Sequence, residues 1–166
     1  MSRIIGIDPG RHGAIALLEH GRLVAIVDLP YVGEKSKTRV DMVELERLLW
    51  DLIGPAMETP TFVIEEPAFM PGQRGQATAS RWLGQIEGVV AGWTPTVVRC
   101  YPPVWKRHHG LLKQPKDNSR IHARLLWPTA RPWLNRKKDV DRAEAALVAR
   151  WHFDKITQQQ QGATHG

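Results

Sequence analysis

Four carboxylates in three separated segments stand where chemistry could use them. Asp8 closes the apolar run Ile4-Ile5-Gly6-Ile7, and Glu65 closes Phe62-Val63-Ile64. An ionised acid at the end of a buried strand is costly to keep without a partner. Asp141 and Glu144 lie three apart in a helical segment, so they project from neighbouring points of one face. If the four converge, they form an all-oxygen ligand set, which suits Mg²⁺ or Mn²⁺ and disfavours zinc. Each also has a plainer reading. Asp8 precedes Pro9-Gly10 and fits a turn, while Glu65 competes with Glu66, which strand alternation sends to the opposite face. Asp141 and Glu144 are equally placed for helix-surface salt bridges with Lys137, Lys138 or Arg142. Asp139 reads as a helix cap.

The basic residues are segregated from these acids. The chain carries 23 Lys and Arg against 17 Asp and Glu, a net charge of +6. Between Arg99 and Lys138 there are eleven basic residues and one acid, Asp117; elsewhere there are twelve basic and sixteen acidic. That distribution is the footprint expected for a polyanion-binding protein, or else a solvated basic face. Lys106, Arg107, Lys113, Lys116, Arg120 and Arg124 are the candidate phosphate contacts, with Arg74 outside the stretch. His108 and His109 could aid proton transfer or belong to a DNA-facing loop, and Trp105 and Trp133 are candidates for stacking on bases.

The elements that must position these groups follow from pattern. Residues 3–8, Gly13–Leu18 and Leu23–Leu29 read as three antiparallel strands broken at Pro9-Gly10 and His20-Gly21. Tyr31–Arg39 reads as a mobile loop. Asp41 caps a helix with apolar residues at Val43, Leu45, Leu48, Leu49, Leu52 and Ile53, ended by Gly54-Pro55. Thr61–Glu65 and Thr94–Tyr101 are the fourth and fifth strands. The helix between them, about Ala77–Gly92, carries Gly84, Gly88 and Gly92 at four-residue intervals. Each glycine costs about 1 kcal/mol relative to alanine, so the stripe implies a close contact, with the chain's own sheet or with a second subunit. Short helices are expected at Pro103–His109 and Ser119–Trp127, an irregular segment at Arg131–Asp139, and a last helix at about Asp139–His152. The whole reads as one α/β domain over residues 1–156, with a mixed five-stranded sheet flanked by helices, and a disordered tail over 157–166. The single Cys100, an early Asp-Pro and the absence of a long apolar run lead to the expectation of a soluble, cytoplasmic protein with no membrane partner.

Ile5-Gly6-Ile7-Asp8-Pro9-Gly10, Phe62-Val63-Ile64-Glu65 and Asp141-Arg142-Ala143-Glu144-Ala145-Ala146-Leu147 resemble the three catalytic segments of the RuvC Holliday-junction resolvases. Leu83-Gly84-Gln85-Ile86-Glu87-Gly88-Val89 resembles that family's central glycine helix, and Val104-Trp105-Lys106 and Lys116 resemble its basic positions. The similarity runs in collinear order over about residues 3–152. It implies a ribonuclease H-like fold and a homodimer joined through Gly84, Gly88 and Gly92. It further implies a four-way DNA junction as substrate, cut by two Mg²⁺ or Mn²⁺ ions on Asp8, Glu65, Asp141 and Glu144. The products would be 5′-phosphate and 3′-hydroxyl ends. Glu144 stands where the family usually has aspartate, one methylene shorter. Lys116 would either position the phosphate or stabilise charge there, and Phe69 either wedges into the junction or is buried.

Two other readings compete with a junction resolvase. A broader endonuclease of forks and flaps would share the metal site and differ in its loops. A junction-binding module without cleavage would be expected to lack an acid, and none is missing. An ATPase-like relative needs glycine-rich phosphate loops that the chain does not have.

Overall fold

The computed structural model describes residues 2–34, 37–55, 58–67, 75–94 and 97–163. Phe69 and Arg74 therefore lie outside the described residues. Strands β1 (Arg3–Asp8), β2 (Ala14–Glu19) and β3 (Arg22–Asp28) form an antiparallel meander, and β6 (Thr61–Glu65) and β7 (Val97–Cys100) extend it in parallel beyond β1. The order is β3-β2-β1-β6-β7, the mixed five-stranded sheet expected from the sequence. A two-stranded ribbon of β4 (Tyr31–Val32) and β5 (Arg39–Val40) occupies the segment read as a mobile loop. It is pinned to α2 (Gln76–Val90): Trp82 Nε1 donates to the Thr38 carbonyl and the Val40 amide donates to Gln85 Oε1, both at 3.1 Å.

Strand alternation splits the core in two. Ile5, Ile7, Phe62 and Ile64 face α1 (Met42–Ile53) and α2, where they meet Leu45, Leu49 and Ile86. Each such side chain, fully buried, contributes about 1.5–3 kcal/mol. Helix α1 starts where expected, because Asp41 accepts from the Glu44 amide at 3.1 Å, and it stops at Gly54 with φ 64°.

Ile4 and Val63 face the other layer, built from α3 (Pro102–His108), α4 (Asp117–Leu126) and α5 (Val140–Ala163). Alanines at 143, 145, 146 and 149 let α5 lie directly on the sheet. Gly6 makes the contact possible: a Cβ there would collide with the Ala145 carbonyl oxygen and the Ala149 side chain. Between α4 and α5 the chain makes 3₁₀ turns at Pro128–Leu134 and Lys137–Asp139.

The last helix departs from expectation. It continues to Ala163 instead of ending near His152, so residues 157–163 of the supposed disordered tail are helical. Glutamine and alanine are good helix formers, Phe153 and Ile156 still pack on the core, and Thr157 Oγ1 donates back to the Phe153 carbonyl at 2.8 Å. Among the described residues no helix is long and apolar enough to cross a membrane.

Candidate metal centre

The acids meet because of strand register and one glycine. Gly6 pairs with Val63 and Ile7 with Ile64 in the parallel β1–β6 ladder, so Asp8 and Glu65 end adjacent strands on the same face. Glu66 turns the other way, towards Arg99 at 3.7 Å. The close approach of α5 at Gly6 then brings the start of that helix over the strand ends. One carboxylate oxygen from each of Asp8, Asp141 and Glu144 lies within 4.8 Å of the others. Glu65 stands beside this trio rather than in it, its Oε2 accepting from Trp105 Nε1 at 2.6 Å.

Asp8 and Glu144 are buried, 5% and 4% exposed. Burial, followed by the charges of Glu65, Asp141 and Glu144, holds the Asp8 carboxyl well above the usual carboxylate range. Burial and then the Glu144 charge push Glu65 up to about 7, against the opposing pull of the Trp105 hydrogen bond and of Lys106 and Lys116. Negative charge is concentrated here beyond what the neighbouring cations neutralise. A hard divalent cation relieves that repulsion, and the donors are all oxygen, so the residues fit Mg²⁺ or Mn²⁺.

Two lysines and a serine complete the setting. Lys116 Nζ lies 2.5 Å from Asp141 Oδ1 and 3.8 Å from Glu144 Oε2, and Lys106 Nζ lies 3.3 Å from Glu144 Oε1. The buried Ser119 donates to Glu144 Oε1 at 3.1 Å and orients it. Sequence reasoning passed over Ser119, whose one signal is its place a single turn after Lys116, on the α4 face turned towards α5.

Several expectations are corrected. Arg120 is not a free phosphate-binding cation: the residue is 8% exposed, its guanidinium forked onto Asp117 at 2.8 and 2.9 Å and bonded to the Leu134 carbonyl at 3.1 Å. Trp105 is fully buried and cannot stack on a base; its indole instead anchors Glu65. His109 lies half-buried against Trp105 and His122, and its Nε2 donates to the Leu147 carbonyl at 2.9 Å. Burial lowers its pKa to about 4, which leaves the ring neutral near pH 7. His108 pairs with Asp154 at 2.9 Å. Asp139, read as the cap of the last helix, instead closes the 3₁₀ turn before it, reaching back from that turn's third position to accept from the Arg136 amide at 2.7 Å. Arg107 and Lys113 are exposed, and Arg124 is partly so.

The glycine stripe does not face the chain's own sheet. Among the described residues, a Cβ added at Gly84 or Gly88 would meet nothing within 4 Å, and at Gly92 only the Val89 carbonyl oxygen of the same turn at 3.3 Å. All three glycines are exposed.

Comparison with known proteins points one way. No protein-family model matches the chain. A curated relative, the chloroplastic Holliday junction resolvase MOC1 of Chlamydomonas reinhardtii, is 31% identical over 129 residues. That alignment covers 62% of this chain and only 14% of the relative's length. Among solved structures, Thermus thermophilus RuvC in complex with a Holliday junction substrate superposes with a TM-score of 0.66 at 17% identity, over 92% of this chain and 93% of that one. A second Thermus thermophilus RuvC structure gives a TM-score of 0.64 at 16% identity, over 94% and 96%. By strand order, mixed pairing and near-complete superposition, the chain has the fold of RuvC, the ribonuclease H-like architecture.

Proposed function

We propose that the chain is a RuvC-family, divalent-metal-dependent DNA endonuclease that resolves four-way junctions by paired nicks, leaving 5′-phosphate and 3′-hydroxyl ends. The observation that carries this reading is the convergence of Asp8, Asp141 and Glu144 within 4.8 Å, with Glu65 alongside, in a protein whose relatives are junction resolvases. Asp8, Glu65, Asp141 and Glu144 would hold two ions. Bound Mg²⁺ or Mn²⁺ supplies an activated water and charge stabilisation of the leaving 3′-oxygen.

The chain's own residues do the rest. Asp8 is fixed by the Gly10 amide on its Oδ1 at 2.8 Å, with one carboxylate oxygen within 4.8 Å of those of Asp141 and Glu144. Ser119 and Trp105 hold Glu144 and Glu65 in place. Lys116, 61% exposed, reaches from the acid centre to solvent and would meet the phosphate there. Arg107 and Lys113 would add phosphate contacts further out, and Arg74 and Phe69 remain proposed DNA contacts. Glu144, one methylene longer than the usual aspartate, is held by Ser119 and Lys106 on its Oε1. The exposed Gly84, Gly88 and Gly92 support a homodimer through α2, which would place two acid centres on one junction.

The test is a gel assay with Mg²⁺ on an immobile junction, a mobile junction, a fork and plain duplex, with Asp8→Asn beside the wild type. Paired symmetric nicks in junctions alone, abolished by Asp8→Asn, are expected. Equal cutting of fork and junction would make the chain a broader branched-DNA endonuclease. Tight junction binding without cutting in Mg²⁺ or Mn²⁺ would overturn the enzyme reading.

A further inference from the structure

A cleft of about 320 Å³ opens beside the acid centre, lined by Arg11, His12, Tyr31, Arg136, Lys138 and the acids Asp28 and Asp139. Its volume falls at the small end of ligand sites, about 300–1,000 Å³, which suits a single nucleotide unit.

Each wall of the cleft continues along the chain into an acid of the metal centre. One wall is the β1–β2 turn: Asp8 is followed three residues later by Arg11. The Gly10 peptide ties the two regions together, its amide on Asp8 Oδ1 at 2.8 Å and its carbonyl accepting from Tyr31 Oη at 2.6 Å. The turn is braced by the Gly13 amide on the Gly10 carbonyl and the Leu29 amide on the Gly13 carbonyl, both at 2.8 Å. The opposite wall is the 3₁₀ turn at 137–139, and Lys138 precedes Asp141 by three residues.

The charges in the cleft are unevenly satisfied. Asp28 is forked by Arg142, at 2.5 and 2.7 Å, and Asp139 is held by Arg136 at 2.7 Å, so both acids are neutralised from within the protein. Arg11 and Lys138 are exposed and make no hydrogen bond or ion pair among the described residues, and His12 is exposed beside them. The cleft is thus a cationic recess, open to solvent, whose walls reach Asp8 and Asp141 within three residues.

We propose that this cleft seats the nucleotide adjoining the scissile phosphate on the cleaved strand, with Arg11 and Lys138 on its backbone phosphate and His12 facing its base or sugar. The inference rests on the nuclease reading above and adds a binding subsite to it. Phosphate contacts of this kind set the register of the strand, so the cleft would fix which bond is presented to Asp8.

The experiment compares wild type, Arg11→Ala/Lys138→Ala and the conservative Arg11→Lys/Lys138→Arg. Junction affinity is read by anisotropy over a salt series with Asp8→Asn added to each variant, and cut positions are mapped on active protein. The alanine pair should bind about tenfold more weakly, its salt slope should fall by roughly 1 for each phosphate no longer neutralised, and its cuts should scatter over neighbouring bonds. The conservative pair should restore affinity and register, and the affinity of every active-site-intact variant for Mn²⁺ alone should be unchanged. Wild-type affinity, slope and cut positions in the alanine pair, with the wild type cutting normally, would overturn the cleft assignment alone. A wild type that neither binds nor cuts junctions would overturn the nuclease reading and this one with it.

Discussion

Lys116 Nζ sits 2.5 Å from Asp141 Oδ1 and 3.8 Å from Glu144 Oε2, on carboxylates that would carry a divalent ion. The ammonium is an internal counter-ion, and an arriving cation competes with it. Lys116→Ala is expected to tighten Mn²⁺ binding by up to about fivefold, the scale of a partly exposed ion pair of about 0.2–1 kcal/mol. The same change should weaken junction binding and lower the salt slope by about 1. Calorimetry with Mn²⁺ alone checks the first expectation; metal affinity that falls would show that Lys116 supports the site rather than competing for it.

Glu65 is held at about 7, and Asp8 is also raised, by burial and by the surrounding acids. For Glu65 the folded value lies above the ordinary one of 4.5, so between about pH 4.5 and 7 the folded protein binds more protons than the unfolded chain. Metal-free stability should therefore fall as pH rises through that window. Metal binding displaces the proton, so below pH 7 Mn²⁺ affinity should drop by about tenfold per pH unit for each proton released. Melting curves and Mn²⁺ titrations from pH 5.5 to 8.5 read both effects. Glu65→Gln should flatten the stability slope; an unchanged slope would assign it elsewhere.

At Gly6 the Ala145 carbonyl oxygen of α5 occupies the space a side chain would need. Overpacking of this kind typically costs about 1–3 kcal/mol, and here the obstacle is backbone. Gly6→Ala should destabilise the protein by that amount in urea unfolding and weaken Mn²⁺ binding, because α5 carries Asp141 and Glu144. Full stability would mean that α5 can shift without cost.

On α2 the opposite holds. A Cβ at Gly88 meets open space among the described residues, and replacing a helical glycine relieves up to about 1 kcal/mol. Gly88→Leu should therefore leave the circular dichroism spectrum unchanged and convert a dimer to a monomer in sedimentation. A variant that stays dimeric would remove the glycine stripe from the interface.

Junction cleavage should be lost in Asp8→Asn by at least about a thousandfold, since one amide replaces a charged oxygen donor at the centre. Junction binding in the same variant should persist or tighten as repulsion of phosphate lessens. Quantified nicking and a gel-shift titration of one preparation separate the two effects; residual cutting near the wild-type rate would remove Asp8 from the ligand set.

The sequence alone determined the five strands of the main sheet, the breaks of its meander and the acids at its strand ends, because these depend on local pattern. Alternation in Ile4–Asp8 and Phe62–Glu65, turn residues at Pro9-Gly10 and the Asp41 cap all act within a few residues of themselves. Tertiary structure decided which charges were free. Arg120 and Lys116 are four apart in one basic stretch, yet the first is consumed by Asp117 and the Leu134 carbonyl, while the second reaches the acid centre. The three-residue spacing of Asp117 and Arg120 is a local signal, but the Leu134 carbonyl on one cation and the Asp141 carboxylate on the other come alongside only through the 3₁₀ turn and α5. Trp105 likewise became the anchor of Glu65 only once α3 packed against α5 and brought the indole to the end of β6. The cleft at Arg11 and Lys138 belongs to the same class, being lined by residues more than a hundred positions apart.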